Sequence, residues 1–319
     1  MAGLLKIAAI SGAAIALLLA FGPREPADLS PVEIQPIPDP AAWLAERDRG
    51  IRPEVASYLH WASEAGERTD LAVVYIHGFS ASPAELRPLP EDVARTLGAN
   101  VVAIRLTGHG EDGAAMDAAR VRDWWGDVAQ ALAIGRMLGR KVAVIGMSTG
   151  ATLVAEAARD PELSQQFDAA VLIAPNFRIS ARWAWLLDLP LMRSVLRLAG
   201  QPERCFETRN PAHEAGWTAC YPVSAALPVS ALLRHARKGD FNAAGIPALF
   251  IWSDSDTVLD HRATERVAES WGGEVEVKRV QPGPRDDPGA HVIAGNALAP
   301  DLTAELTPFV ADWIAKALR

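Results

Sequence analysis

The chain contains 319 residues, 50% of them hydrophobic, which suffices for one large domain with a substantial core. Its formal net charge is -8 and its 31 Lys and Arg residues are scattered, so the composition argues against nucleic-acid binding. Cysteine and histidine residues do not pair at zinc-ligand spacing, and the sequence predicts neither a metal site nor a cofactor.

Residues 1–22 are the first predicted unit, and they are apolar apart from Lys6 and small residues such as Ser11 and Gly12. The stretch is long enough to cross a bilayer as a helix, so a membrane anchor and a signal peptide are both open interpretations. Pro23 directly follows the small residues Ala20 and Gly22 at the candidate cleavage point and disfavours cleavage. The sequence therefore favours an uncleaved N-terminal anchor.

Residues 23–40 contain six prolines and predict an extended spacer. We expect an exported protein, held in the membrane by its N-terminal segment and facing the periplasm or the outside, with secretion after cleavage as the alternative. In such an oxidising compartment Cys205 and Cys220 can form a disulfide that closes a short loop. The alternative is a pair of buried thiols, and the spacing leaves both open.

Residues 41–319 read as one α/β domain, with a short helix and a first strand near residues 56–61. From residue 71 onward, short apolar runs rich in β-branched residues alternate with longer amphipathic stretches, a pattern typical of a parallel sheet covered by helices on both faces. The predicted strands are 71–76, 101–104, 141–145, 170–174, 248–252 and 274–280; the clearest predicted helices are 85–97, 121–138, 149–159 and 262–271.

Residues 176–244 interrupt this alternation with apolar helical stretches and loops rich in Pro, Arg and Trp. An insertion of that length between two strands predicts a helical cap over the active face. Its apolar side chains, among them Trp183, Trp185 and Leu191, either line an acyl pocket or pack on the core, and the pocket is the favoured interpretation.

Ser148 is the candidate nucleophile. It lies in Gly146-Met147-Ser148-Thr149-Gly150, between a predicted buried strand and a predicted helix. A serine on this sharp turn projects out of the sheet, and the two glycines allow the neighbouring backbone to approach. The alternative, an ordinary turn that matches the pattern by chance, is less favoured because strand and helix both flank it.

A serine nucleophile needs a base, and the base needs a carboxylate that orients it. His291 follows the last predicted strand and is the candidate base. Asp256 follows the strand at 248–252 and is preferred as the acid, because Asp254 is closer to the sheet edge and Asp260 can cap the next helix. The predicted triad is therefore Ser148, Asp256 and His291.

Backbone amides can stabilise the oxyanion that forms during attack. His77-Gly78-Phe79 follows the strand at 71–76, so the Phe79 amide is one predicted donor, and the amide of Thr149 is the second. His77 is expected to hold this loop by hydrogen bonds, whereas His109 is expected in a tight turn.

Several motifs occur in a characteristic order: His77-Gly78-Phe79-Ser80, Arg105-Leu106-Thr107-Gly108-His109-Gly110, Trp124 with Asp127, Gly146 to Gly150, Asp256-Thr257-Val258 and His291-Val292-Ile293. In this arrangement the chain from residue 71 onward resembles the α/β-hydrolase superfamily, in the branch of monoacylglycerol lipases, bacterial carboxylesterases and serine-aminopeptidase-like hydrolases.

This resemblance implies an α/β-hydrolase fold, the triad Ser148, Asp256 and His291, and the oxyanion donors Phe79 and Thr149. The chain departs from the family pattern at Thr149, where relatives often carry a longer side chain, and at residues 151–152, where a further glycine is common. Only the backbone of Thr149 is needed for an oxyanion donor.

The sequence thus predicts a serine hydrolase that cleaves carboxylic esters through an acyl-enzyme, with monoacyl lipids or medium-chain esters favoured by the apolar cap. An amidase or peptidase and an acyltransferase remain alternatives on the same triad. For a peptidase, Glu203, Glu207 and Glu214 could receive a substrate amine. A non-catalytic binding protein of the same fold is the alternative from a different class.

Overall fold

The computed structural model describes residues 17–34 and 36–319. The strands, in chain order, are β1 (Tyr58–His60), β2 (Thr69–Ile76), β3 (Asn100–Ile104), β4 (Gly139–Met147), β5 (Ala169–Ile173), β6 (Glu203–Cys205), β7 (Cys220–Pro222), β8 (Ala248–Trp252) and β9 (Val275–Arg279). The α-helices are α1 (Pro40–Arg47), α2 (Leu89–Leu97), α3 (Gly113–Ala118), α4 (Val121–Leu138), α5 (Thr149–Arg159), α6 (Met192–Leu198), α7 (Pro211–Gly216), α8 (Ala226–Ala236), α9 (His261–Glu269) and α10 (Pro300–Ala317).

Seven strands form one sheet in the order β1-β3-β2-β4-β5-β8-β9. β1 runs antiparallel to β3, and the other neighbouring pairs are parallel. A parallel sheet is covered on both faces, which explains why a central strand such as β8 is apolar and buried along its whole length. The carboxyl ends of β2, β4, β5 and β8 meet at one edge, and the candidate site forms there.

Two apolar layers cover the sheet, and β2 contributes to both. Val74 and Ile76 pack in the layer that contains α4, α5 and α8. Val73 and Tyr75 point the other way, into the layer that contains α2 and α10. This alternation follows from the two-residue period of a strand. The predicted parallel sheet with helices on both faces is confirmed.

The predicted helices at 121–138 and 149–159 agree with α4 and α5. The predicted helix at 85–97 is wrong at its start, because α2 begins only at Leu89, after a turn that ends in Pro88. A proline disfavours helical backbone in the residue before it, so Arg87 stays outside the helix. Glu85 consequently lies in a loop, with its side chain directed inward.

The cap segment, residues 176–244, lies between β5 and β8. The sequence predicted it as helical, but it also contains strands. Besides the 3-10 helix Ala184–Asp188 and helices α6 to α8, it contains the antiparallel pair β6 and β7. Cys205 and Cys220 are opposite each other in that pair and form a disulfide, so the bonded alternative holds. α8, at the end of the segment, packs into the core of the sheet.

The predicted membrane anchor is contradicted by the structure. Among the described residues, no helix is both long and apolar enough to span a membrane. Residues 1–16 of the predicted segment lie outside the described residues. The membrane-anchored localisation and the membrane contact are therefore not retained.

The spacer that follows packs against the cap segment. The Leu191 N–H donates to the Pro23 carbonyl at 2.8 Å. The side chain of Arg193 bonds both carboxylate oxygens of Glu25 at 2.9 Å. A bidentate arginine–carboxylate pair fixes both side chains, so this contact ties the spacer to α6.

Candidate active site

Ser148 lies on a strained turn between β4 and α5. Its backbone has φ 52° and ψ -116°, a conformation that non-glycine residues rarely adopt and that surrounding contacts must enforce. Such contacts are present: a Cβ on Gly146 would lie 2.7 Å from the Ala151 Cα, and a Cβ on Gly150 would lie 2.3 Å from the Ile76 carbonyl oxygen. Only glycine fits at either position, and the tight packing directs Ser148 away from the sheet.

His291 and Asp256 complete a hydrogen-bond chain with this serine. His291 Nε2 lies 3.1 Å from Ser148 Oγ, and His291 Nδ1 lies 2.9 Å from Asp256 Oδ2. A neutral ring protonated on Nδ1 donates to Asp256 and leaves Nε2 free to accept the serine proton. The structure thus brings together the three residues that the sequence singled out from distant segments.

The loop after β8 distinguishes among its three aspartates. The second oxygen of Asp256, Oδ1, accepts from the amides of Val258 and Leu259, both at 2.8 Å. Asp254 instead accepts from Trp252 Nε1 at 3.0 Å, and Asp260 caps α9. Only Asp256 of the three bonds His291 among the described contacts, with its carboxylate held by two amides on the far side.

The electrostatics of His291 suit a base. Burial of the ring opposes its protonation, but the hydrogen bond and the negative charge of Asp256 outweigh that effect and raise the pKa of His291. The more distant carboxylates of Glu85 and Asp287 act in the same direction. An imidazolium formed next to Ser148 is therefore stabilised.

The amides of Phe79 and Thr149 are available to a substrate oxygen. Thr149 is the first residue of α5, where amides have no acceptor within the helix. Phe79 lies in the loop after β2, and among the described hydrogen bonds neither amide has a protein acceptor. The loop abuts Ser148, since a Cβ on Gly78 would lie 3.2 Å from the Ser148 Cβ. Both amides and the positive end of the α5 dipole favour developing negative charge there.

A model of the family described as serine aminopeptidase S33 matches residues 67–283. The chain belongs to this family. The α/β-hydrolase fold expected from the motifs is thereby confirmed, and the protein is a hydrolase of a lipase- and esterase-like group. The matched region spans β2 to β9, including Ser148 and Asp256, and stops eight residues short of His291.

Several known proteins are similar to this chain. A thermostable monoacylglycerol lipase from Bacillus sp. (strain H-257) is 24% identical over 198 residues, covering 60% of this chain and 73% of the relative. The fold is similar to that of a metagenome-derived lipolytic enzyme, with a TM-score of 0.64 and 22% identity over 83% of this chain and 99% of the other. A soluble variant of the monoglyceride lipase from Saccharomyces cerevisiae, in complex with a substrate analogue, has a TM-score of 0.61 and 11% identity, covering 82% and 91% of the two chains.

His77 and His109, the two histidines of the loop motifs, are both buried. His77 is buried; its Nε2 accepts from the Leu106 N–H at 2.9 Å, so its Nδ1 carries the proton and donates to the Gly78 carbonyl at 2.8 Å. Burial lowers the pKa of His77 well below its usual value, and it lowers the pKa of His109 to about 4. Both rings are neutral, and His109 lies in a turn between two glycines with positive φ, as predicted.

An apolar wall stands beside the loop after β2 that carries Phe79, which we call the oxyanion loop after its predicted role. Met116, Tyr221 and Ala225 form a small buried cluster, with Phe79 and Phe206 packed against it. The rings of Phe79 and Tyr221 meet edge to face, 5.3 Å apart. This wall comes from α3 and the region of β6 and β7, whereas Trp183 and Trp185, which the sequence favoured for an acyl pocket, are 63% and 54% exposed.

Sequence reasoning missed two buried carboxylates. Asp287 accepts from the amides of His291 and Val292, both at 3.2 Å, and so shapes the histidine loop. Glu85 accepts from the Gly78 amide at 2.7 Å. The only signal for Asp287 is its position four residues before His291, and Glu85 was assigned to a helix that begins later.

Proposed function

We propose that this protein is a serine hydrolase that cleaves carboxylic esters through an acyl-enzyme intermediate. The observation that carries the proposal is the continuous hydrogen-bond chain from Asp256 through His291 to Ser148, with distances of 2.9 and 3.1 Å. Each group has the chemistry that the reaction needs: a nucleophile, a base and an orienting carboxylate.

The reaction has two halves. His291 Nε2 takes the proton from Ser148 as its Oγ attacks the ester carbonyl carbon, and the amides of Phe79 and Thr149 donate to the resulting oxyanion. The imidazolium then protonates the leaving alcohol as the carbon–oxygen bond breaks, which leaves an acyl group on Ser148. Water repeats the sequence with His291 as base, and the carboxylic acid is released.

Esters with an apolar acyl chain, either monoacyl lipids or medium-chain esters, are the proposed substrates. Support comes from the apolar wall, in which the rings of Phe79, Phe206 and Tyr221 lie at the oxyanion loop. The Bacillus relative is a monoacylglycerol lipase, which agrees with that preference. We also propose that the cap segment contributes this wall and covers the site.

Aminopeptidase activity is less favoured by the cap. An exopeptidase needs an acidic group that binds the substrate amine, but Glu203, Glu207 and Glu214 are all exposed. Arg209 lies between Glu207 and Glu214 in the sequence and pairs with Asp287 at 2.9 Å. Solvent and salt screen the attraction of exposed carboxylates for an ammonium group.

The test combines turnover with covalent labelling. Wild-type protein and Ser148→Ala are assayed with monoacylglycerols, short- and medium-chain p-nitrophenyl esters and aminoacyl amides, and both are treated with a fluorophosphonate probe. We expect ester turnover and labelling in wild type, and neither in Ser148→Ala. Ser270→Ala, directly after the last residue of α9, is the matched control and should behave as wild type.

Full ester turnover by Ser148→Ala, or labelling of a different serine, would show that the nucleophile is wrong. Faster cleavage of aminoacyl amides than of esters by the wild type would favour the peptidase alternative. An acyltransferase would transfer the acyl group to an added alcohol in preference to water.

A further inference from the structure

Glu85 is a buried carboxyl that the steps above do not use. Its residue is 3% exposed, and its Oε2 accepts two hydrogen bonds, from the Gly78 N–H at 2.7 Å and from the Tyr75 hydroxyl at 2.9 Å. Tyr75 belongs to β2 and is fully buried. The carboxyl therefore links the rigid end of β2 to the loop that carries Phe79.

Gly78 is held at both of its backbone polar groups. Glu85 accepts from its N–H, and the Nδ1–H of His77 donates to its carbonyl at 2.8 Å. The Gly78 carbonyl and the Phe79 N–H belong to one planar trans peptide and point in opposite directions, so holding the carbonyl directs the N–H. The His77 contact acts on the Gly78–Phe79 peptide itself, and the Glu85 contact acts on the preceding His77–Gly78 peptide, so the two restrain the direction of the Phe79 amide from both sides of Gly78.

Gly78 is also closely packed against Ser148. A Cβ on Gly78 would lie 3.0 Å from Glu85 Oε1 and 3.2 Å from the Ser148 Cβ. The Glu85 carboxyl and the nucleophile therefore flank the same glycine. A small rotation of this residue would move the Phe79 amide relative to Ser148.

We propose that Glu85 is a positioning residue for the oxyanion loop: through the Gly78 N–H it holds the Phe79 amide in line with the carbonyl oxygen of a substrate at Ser148. This role rests on the proposed ester hydrolysis. Loss of one oxyanion donor costs about 100- to 1000-fold in kcat in comparable enzymes, so a misdirected donor has a measurable effect.

The charge state of Glu85 is compatible with this role. Burial raises the pKa of Glu85 to about 7, although the hydrogen bonds from Gly78 and Tyr75 and the nearby His291 oppose the shift. A carboxyl oxygen accepts the Gly78 hydrogen bond in either protonation state. The contact therefore does not require a full negative charge next to the developing oxyanion.

Three substitutions separate position from charge. Glu85→Ala removes the acceptor and should lower kcat for a p-nitrophenyl ester about 10- to 100-fold, with KM within about twofold of wild type. Glu85→Gln keeps an oxygen in the same place and should retain kcat within about threefold. Glu85→Asp keeps the charge but withdraws the acceptor, and should lower kcat about tenfold.

Glu156→Gln is the matched control, because Glu156 is a buried carboxylate in α5 that pairs with Arg159 and lies outside the oxyanion loop. Its kcat should equal that of wild type. Amide hydrogen exchange provides a readout that needs no turnover: the Gly78 amide should exchange faster in Glu85→Ala than in wild type or Glu85→Gln.

Wild-type kcat and unchanged Gly78 exchange in Glu85→Ala would overturn the proposal. So would a loss in Glu85→Gln as large as that in Glu85→Ala, because the charge would then matter and not the acceptor. Failure of ester hydrolysis itself is separate: wild type would then neither cleave esters nor react with the fluorophosphonate, while faster Gly78 exchange in Glu85→Ala would still report loop positioning.

Discussion

Gly150 packs directly on the end of β2, where a Cβ would lie 2.3 Å from the Ile76 carbonyl oxygen. This approach places the first turn of α5 next to the loop that carries Phe79. The relative position of Ser148 and the loop that carries Phe79 therefore depends on a residue without a side chain.

Gly150→Ala should disturb this arrangement. We expect a loss of about 1–3 kcal/mol in the free energy of unfolding from overpacking, together with a large fall in kcat, because the turn at Ser148 must shift. Urea denaturation and ester turnover measure the two effects. Gly126→Ala in α4 is the control: a Cβ there would have no neighbour within 4 Å, and alanine should stabilise that helix by about 0.5–1 kcal/mol. Equal changes in the free energy of unfolding and in kcat for the two variants would contradict the close packing of Gly150 on β2.

Asp256→Asn should lower kcat/KM by a factor on the order of 10,000, because an amide can donate to His291 Nδ1 and favour the tautomer that cannot accept the serine proton. Since Asp256 raises the pKa of His291, the acid limb of the kcat/KM profile should also move to lower pH. Asp254→Asn is the control, because Asp254 bonds Trp252 and not His291. If Asp254→Asn lost more kcat/KM than Asp256→Asn, Asp254 and not Asp256 would be the acid of the triad.

The stability of the protein should depend on pH through Glu85. Its pKa is about 7 in the folded protein, against an ordinary value of 4.5, so the folded state retains a proton that the unfolded state releases between these values. The resulting stabilisation is full below pH 4.5 and falls by about 3 kcal/mol as the pH rises to 7. Urea denaturation of wild type and Glu85→Gln across this range measures the difference. A pH-independent difference would show that Glu85 titrates normally.

The disulfide between Cys205 and Cys220 should stabilise the cap segment. The cysteines are 15 residues apart, and closing a loop of that size contributes about 3 kcal/mol in the chain-entropy model. The double variant Cys205→Ser/Cys220→Ser should therefore lose about 3 kcal/mol in the free energy of unfolding. Its KM for apolar esters should also rise, because Phe206, which belongs to the apolar wall, directly follows Cys205 in the chain. Reductant should weaken wild type but leave the variant unchanged; equal sensitivity of both would rule out the disulfide as the cause.

Much of the fold was predictable because its signals are local. The apolar run at 248–252 and the helix-length patterns at 121–138 and 149–159 coincide with β8, α4 and α5. The predicted helix at 85–97 was wrong at its start, and the predicted membrane anchor was wrong. Pro88 delays the start of α2, and among the described residues no helix is both long and apolar enough to span a membrane.

By itself, the sequence determined the α/β architecture, the strand–turn–helix around Ser148, and the chain order of Ser148, Asp256 and His291. These features depend on residue periodicity, on glycines at a sharp turn and on the order of segments, all of which a linear chain displays. The tertiary structure alone decided the contacts of Glu85 with Gly78, of Asp287 with the His291 loop, and of Cys205 with Cys220. The physical reason is that partners distant in sequence, and the loss of solvent around the side chain, set the direction of a loop side chain. Neither leaves a periodic pattern in the sequence.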